Sequence, residues 1–237
     1  MKESTLAAAV VSPPLTTAHV ADAAVRLKLP IHIAPSGLRP AFPGARCFGR
    51  VLPARHRGSV DVFLEAFQQA SPGDVLVADN GGNLDQACIG DLVTLEAKLH
   101  GLAGIVIWGL HRDTEEVEQI GLPLFSYGTC PLGPTEAAPR EAEDLATVNF
   151  GPFRVDSSFQ VMADADGALF FSSAHRLRLL AMAESIATRE REQSRQMAGG
   201  LKLTEQLRFS EYLRRRDQDH SFTFRRHLRE LGGAIEE

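Results

Sequence analysis

The chain has 237 residues, 44% of them apolar and 23% charged, and carries a formal net charge of −5. That length accommodates one large domain or two small ones around a sizeable core, and the acidic balance argues against a protein that lives on phosphate backbones, which needs clustered Lys and Arg. Cys47, Cys88 and Cys130 form no CxxC pair and no even-numbered disulfide framework, which fits a reducing, cytoplasmic setting, and no stretch approaches the ~20 apolar residues of a membrane-spanning helix.

Residues 1–15 read as a flexible tail, because AAAVVSPPL is too short and too interrupted by proline for a secretion signal. A first helix is predicted over 16–27, capped by Thr16 or Thr17, with Val20, Ala24 and Leu27 on one face. Residues 30–43, rich in Pro and Gly, read as a loop leading to a short strand over 46–52. A second helix, 61–69, stops before the turn signal Ser71-Pro72-Gly73. The apolar run 75–78 is a strand that ends in the tight loop Asp79-Asn80-Gly81-Gly82-Asn83. Residues 92–99 look helical, with Asp91 at the first turn. A second buried strand, 104–108, ends at Gly109, and a short helix (115–120) precedes a third strand (123–127). Strands alternating with helices at this spacing imply an α/β layered core.

From residue 146 the pattern changes. Strands are predicted at 148–153, 159–162 and 168–171, the last two forming a hairpin around Ala163–Gly167. Asp164-Ala165-Asp166-Gly167 looks like the start of a calcium loop but lacks the closing Glu, so a hairpin turn explains it better. A long helix over 174–197 precedes an Arg-rich, aromatic-spotted tail, 201–237, expected to pack on a neighbouring subunit. The domain reading is a tail over 1–15, a core over 16–172, and C-terminal helices with an extension over 173–237.

The chemistry-bearing residues lie at strand ends. Arg112 can grip a carboxylate through two parallel hydrogen bonds, and Asp113 offers hard oxygen ligation suited to Mg²⁺ or Mn²⁺. Asp91 opens a helix behind Gly90. The amides of Gly90, Asp91 and Leu92 are placed to bind a carboxylate or enolate oxygen, and Asp91 could move a proton. Glu116 stands three residues after Asp113, on the same helical face. Taken singly, each is also an ordinary surface group: a loop ion pair, a helix-dipole Asp, a solvated Glu. Asp79 reads as a hydrogen-bond anchor, and His111 as a structural histidine, since no HxH or HxxxH pair exists.

These residues together resemble the RraA-like family, which includes the regulator of RNase E activity and the class II 4-hydroxy-4-methyl-2-oxoglutarate aldolases. The resemblance rests on Pro72-Gly73-Asp74-Val75-Leu76-Val77-Ala78-Asp79, Gly90-Asp91, Gly101-Leu102-Ala103-Gly104 and Arg112-Asp113-Thr114-Glu115-Glu116, with weaker support from Thr17–Ala23, Ala163–Gly167 and the tail from Phe222. It implies a β/β/α sandwich of the swivelling-domain type with a C-terminal helical extension, assembled as a homotrimer or dimer of trimers. It also implies that Arg112 binds a pyruvoyl group, that Asp113 helps hold Mg²⁺ or Mn²⁺, and that Asp91 assists through metal-bound water. Glu116 tilts the reading towards catalysis, because regulator-type members tend to lack an acid there. Asn80 departs from the family's usual Gly. The implied activity is cleavage of a C–C bond in a small 2-keto acid to release pyruvate, with oxaloacetate decarboxylation on the side, and no nucleic-acid or membrane partner. Glu190 or Glu192 could join the site from a second chain. The alternatives are a non-catalytic regulator that binds a ribonuclease or helicase, and a metal-dependent enzyme acting on another small acid.

Overall fold

The computed structural model describes residues 14–231. In chain order the elements are α1 (Thr17–Leu27), β1 (His32–Ile33), β2 (Arg39–Pro40), β3 (Cys47–Arg55), α2 (Asp61–Gln68), β4 (Val75–Asp79), β5 (Ala87–Ile89), α3 (Asp91–Leu99), β6 (Gly104–Trp108), β7 (Leu110–His111), α4 (Thr114–Ile120), β8 (Leu124–Ser126), β9 (Thr147–Phe150), β10 (Phe153–Asp156), β11 (Phe159–Asp164) and β12 (Gly167–Ser172). A 3₁₀ turn (Ser173–His175) then leads into α5 (Arg176–Ala198), α6 (Leu203–Gln206), α7 (Phe209–Gln218) and α8 (Phe224–Leu231). No described helix is long and apolar enough to cross a membrane.

The large sheet has the order β1-β12-β11-β3-β4-β6-β8-β2. Its centre, β3-β4-β6-β8, is parallel, whereas β11, β12 and β1 on one flank and β2 on the other run antiparallel to their neighbours. The alternation of side chains along a strand splits the apolar runs between two faces. Leu76 and Ala78 of β4, with Ile105 and Ile107 of β6, meet Phe63 and Phe67 of α2, Val93 and Ala97 of α3, and Val117 of α4. Val75, Val77 and Val106 point the other way, towards Val148, Phe150 and Val155 of the β9–β10 hairpin and Phe170 of β12. A third cluster joins Val20 and Ala24 of α1 to Leu179, Ala183 and Ile186 of α5 over Met162, Leu169 and Phe171. The chain is thus a mixed α/β sandwich, as the resemblance implied, with helices added at the C-terminal end.

The first helix is capped by Thr16, whose side chain accepts from the His19 amide. Its start is also tied to the β11–β12 turn: the Asp164 carboxylate accepts from the Thr17 amide (2.8 Å), the Thr17 hydroxyl (2.7 Å) and the Asp166 amide (3.0 Å). Asp164 therefore serves as a turn and helix anchor. Several boundaries differ from the sequence expectation. The loop read over 30–43 contains two-residue edge strands, β1 and β2. The single strand read over 148–153 is the end of one strand and the start of another, because Gly151 turns the chain back at φ 60° and β10 pairs antiparallel with β9. Strands β5 and β7 were unforeseen. Of the tail read over 1–15, only residues 14 and 15 lie within the described residues, and Leu15 packs on the α1–α5 cluster. At the other end, α7 and α8 pack through Phe209, Tyr212, Phe224 and His227, whose ring bonds the Leu207 carbonyl at 2.8 Å.

Candidate active site

Two short parallel strands assemble the site. Ala87 of β5 faces Leu110 of β7, Ile89 faces His111, and the Arg112 amide donates to the Ile89 carbonyl at 3.0 Å. Because α3 starts immediately after β5 and α4 immediately after β7, this pairing sets Gly90-Asp91 against Arg112-Asp113. The approach is very close. A Cβ on residue 90 would lie 2.2 Å from Asp113 Oδ2 and 3.1 Å from Arg112 Cγ, so only glycine leaves the Asp113 carboxylate its place. Asp113 itself is left-handed (φ 58°, ψ 46°), a conformation that costs a non-glycine residue roughly 1–2 kcal/mol. Such strain persists where surrounding structure over-determines it, and it clusters at functional positions.

The local bonding is sparse. Asp113 Oδ2 accepts from the Asp91 amide at a long 3.4 Å and lies 3.3 Å from Arg112 Nε. The Leu92 amide donates to Asp91 Oδ1 at 2.7 Å. Two of the amides expected to bind an anion therefore already face carboxylates of the chain itself. The side chains of Arg112 and Asp113 are 48% and 34% exposed, so both remain open to a ligand.

Behind this pair, buried His111 pins the turn. Its Nδ1 bonds Ser126 Oγ at 2.7 Å and its Nε2 bonds Thr114 Oγ1 at 3.1 Å, while its backbone bridges Gly128 and Cys130. Burial lowers its pKa, outweighing the Gly128 backbone and the nearby Asp113, so the ring is held neutral. The structural expectation for His111 holds, and its role in fixing Arg112-Asp113 is what the sequence did not disclose.

Gly90, Asp91, Leu92 and Arg112 line a cavity of about 450 Å³, walled further by Val60, Leu64, Leu95, Leu99 and Glu96. Glu116 stands exposed in the first turn of α4. Among the described residues, no three His, Cys, Asp or Glu side chains cluster closely enough to hold a metal ion. The structure thus brings Asp91, Arg112 and Asp113 together around Gly90. Glu190 bonds His19 Nε2 of its own chain at 3.0 Å, and Glu192 pairs with Arg195 and Gln196. Cys88, at the back of the cavity, is buried, and desolvation raises its thiol pKa well above the ordinary range; Cys47 is pushed up to about 12 by the same cause. Cys130 is partly exposed.

Pro134 separates this cavity from a second one of about 420 Å³, which is polar and lies at the carboxyl ends of β3 and β4. Asp79 anchors its floor, accepting from the amides of Gly81 (2.9 Å) and Asn149 (3.0 Å) and from Asn149 Nδ2 (3.3 Å). The anchor role expected for Asp79 is the one it plays.

A model of the RraA-like family, described as Aldolase/RraA, matches residues 17–170. The chain belongs to the RraA-like family. The match takes in both site segments and stops before the α5–α8 region. A relative from Halalkalibacterium halodurans, named "Putative 4-hydroxy-4-methyl-2-oxoglutarate aldolase", is 42% identical over 66 residues, which is 28% of this chain and 31% of that protein. The alignment thus spans under a third of that relative's length. Among solved structures, an uncharacterized protein from Pseudomonas syringae superposes with a TM-score of 0.71 at 23% identity, covering 81% of this chain and 92% of that one. The RNA-processing inhibitor RraA from Thermus thermophilis superposes at 0.56 and 24% identity, covering 64% and 91%. Both likenesses establish the RraA-like fold. The family names span an aldolase and an inhibitor of RNA processing.

Proposed function

We propose that this RraA-like chain is a divalent-metal-dependent lyase that cleaves a C–C bond of a 2-keto acid and releases pyruvate, in the manner of a 4-hydroxy-4-methyl-2-oxoglutarate aldolase. The observation that carries the reading is the Gly90 cradle. It sets the Arg112 guanidinium and the Asp113 carboxylate against Gly90, beside a cavity that Arg112 and Asp91 line, and holds Asp113 in a strained conformation with acceptor capacity to spare. The names of the family's relatives support it.

In this reading Arg112 binds the substrate carboxylate through charge-assisted hydrogen bonds. Asp91 takes the proton of the substrate's hydroxyl. Asp113 and Asp91 are the groups that would hold Mg²⁺ or Mn²⁺, with Glu116 as a further acidic group in the first turn of α4. Two hard carboxylates suit an ion that keeps several waters, as Mg²⁺ does. When bound, the ion supplies Lewis acidity at the keto and carboxylate oxygens of the substrate. Within the extension read over 173–237, α5 packs on α1 of its own chain, and the helices that follow it, α6–α8, are read as covering a neighbouring subunit of a trimer or a dimer of trimers.

The test is pyruvate release from oxaloacetate and from branched and linear 4-hydroxy-2-keto acids, with Mg²⁺ or Mn²⁺ added and then chelated. Turnover should require the metal, should fall by at least about 10²-fold in Arg112→Ala and should vanish in Asp113→Ala. Unchanged rates in excess EDTA or in either variant would defeat the assignment. A stable complex with a ribonuclease or helicase that survives Asp113→Ala would favour the regulatory reading instead.

A further inference from the structure

The Arg112 side chain runs between two glycines. On one side is Gly90, where a Cβ would stand 3.1 Å from Arg112 Cγ and 3.2 Å from its Nε. On the other is Gly133, where a Cβ would stand 2.8 Å from Arg112 Nη1 and 3.7 Å from Cζ. Gly90 leaves room for the stem of the side chain, and Gly133 for its head.

Gly133 belongs to the segment 127–146, which crosses from β8 to β9 and is tacked down along its length. The Cys130 amide donates to the His111 carbonyl at 3.0 Å, and the Ala87 amide to the Leu132 carbonyl at 2.9 Å. Gln86 Nε2 donates to Thr135 Oγ1 at 3.0 Å, and the Ala138 amide to the Arg57 carbonyl at 2.8 Å. At the far end, fully buried Asp144 accepts from Arg57 Nε at 2.9 Å. The anchors at 132 and 135 flank Gly133, and Pro134 restricts the backbone before it to extended conformations. The backbone at 133 is held, so the guanidinium is the part free to move.

Conformation does not require glycine here. The φ of Gly133 is not positive, and alanine adopts extended backbone readily. Among the described residues, its chain neighbours apart, only Arg112 comes within 4 Å of a Cβ built at 133. Gly58 is the contrasting case, because a Cβ there would lie 1.9 Å from the Glu136 carbonyl oxygen, backbone against backbone. The space at 133 therefore serves the guanidinium.

We infer that Gly133 is a positioning residue for Arg112, the second wall of a slot that aims the guanidinium at the substrate carboxylate. This rests on the lyase reading above and adds the β8–β9 segment to the anion grip. A bidentate pair depends on the placement of the planar fork. A methyl at 133 would sit inside van der Waals contact of ~3.5 Å, so Nη1 would have to shift by about 0.5 Å or more. Both glycine contacts lie within one chain and hold whatever a neighbouring subunit adds.

The test is a cycle of Gly133→Ala and Arg112→Lys, singly and together, read as kcat/KM for Mg²⁺-dependent pyruvate release from oxaloacetate, with thermal melting alongside. Lysine keeps a cation but has no atom in the place of Nη1. Gly133→Ala alone should lower kcat/KM about tenfold, within the ~10²-fold that a misplacement of about 1 Å can cost. The loss should fall chiefly on KM, since the carboxylate is held alike before and during bond breaking. The melting temperature should hold or rise, because alanine restricts the unfolded chain. In the Arg112→Lys background the same alanine should change kcat/KM by less than about twofold, the mark of an effect that acts through Arg112. Wild-type turnover unaltered by Gly133→Ala, or an equal loss in both backgrounds, overturns the positioning role and leaves the lyase reading intact. A Gly133→Ala protein that melts early or fails to fold also overturns it, since the obstacle would then be the fold and not the guanidinium. Absence of metal-dependent turnover in the wild type overturns both.

Discussion

Two aspartates, one closing a strand and the other opening a helix just past one, are treated in opposite ways. Asp79, at the end of β4, is 5% exposed and accepts three hydrogen bonds, with Arg55 Nε a further 3.4 Å away as an ion-pair contact rather than a hydrogen bond. Asp113, just past β7, is 34% exposed, left-handed, and touched by two long contacts of 3.3 and 3.4 Å. A buried carboxylate with its lone pairs satisfied stiffens a loop. A strained one with lone pairs to spare gives up stability and keeps its binding capacity for something else. The contrast explains why one loop is read as scaffold and the other as site.

The sharpest way to break the contrast is Arg112→Ala. Losing the anion-binding partner of Asp113 should cut pyruvate release by roughly 10²–10³-fold, the scale for removing one preorganised stabilising group, with the melting temperature little changed. Asp79→Ala should do the reverse. Stranding Arg55 and the Asn149 amide should cost about 3 kcal/mol in chemical denaturation, the range for breaking a buried charged network, and should leave the turnover of folded enzyme near wild type. Asp113→Gly joins the two measurements in one variant: relief of the positive φ should stabilise the fold by about 1 kcal/mol while abolishing turnover. If Asp113→Gly were no more stable than wild type, strain at the site would be refuted.

The smallest effect is one of pH. His56, beside the Asp79 loop, stacks on Phe63 with ring centroids 5.4 Å apart and bonds Asn80 Oδ1 through Nδ1 at 2.8 Å. Burial lowers its pKa, more than the Asn80 bond and Asp61 restore. The native state therefore binds fewer protons than the unfolded chain just below the ordinary histidine value of about 6.5. Stability is fully present above that value and declines as pH falls through the folded pKa. His56→Phe, which keeps the stack, should flatten that decline in denaturation midpoints recorded across the interval; an unaltered slope would exclude His56 as a source.

The sequence made parts of both regions legible, for different physical reasons. Strands β4 and β6 are continuous apolar runs buried on both faces, and such runs declare themselves. The Asp79 loop was recognisable from its glycines, and the Arg112-Asp113 and Gly90-Asp91 pairs from their place at strand ends. Strands β5 and β7 were illegible, since three residues of ACI and two of LH carry no periodicity. Their pairing is what brings residue 90 to residue 113, so the reason for Gly90 lies in a contact 23 positions away along the chain, as the Cβ clash shows. The β9–β10 turn was marked in the sequence by Gly151-Pro152, but two four-residue strands joined by so short a turn, whose Val148, Phe150 and Val155 all feed one cluster, read together as a single strand. The exposure of Leu92, Leu95 and Leu99 on α3 was not legible, because which apolar residues of a helix are covered depends on neighbours the sequence does not show.

The uneven burial of the three thiols has a practical side. Cys47 and Cys88 are shut away and held protonated, whereas Cys130 is partly exposed and its amide bonds the carbonyl of His111, immediately before Arg112. A maleimide dye at neutral pH should therefore yield a single adduct on native protein, seen as one mass increment. The unmodified chain comes with a built-in attachment point for a fluorophore, poised to report when something settles against the guanidinium.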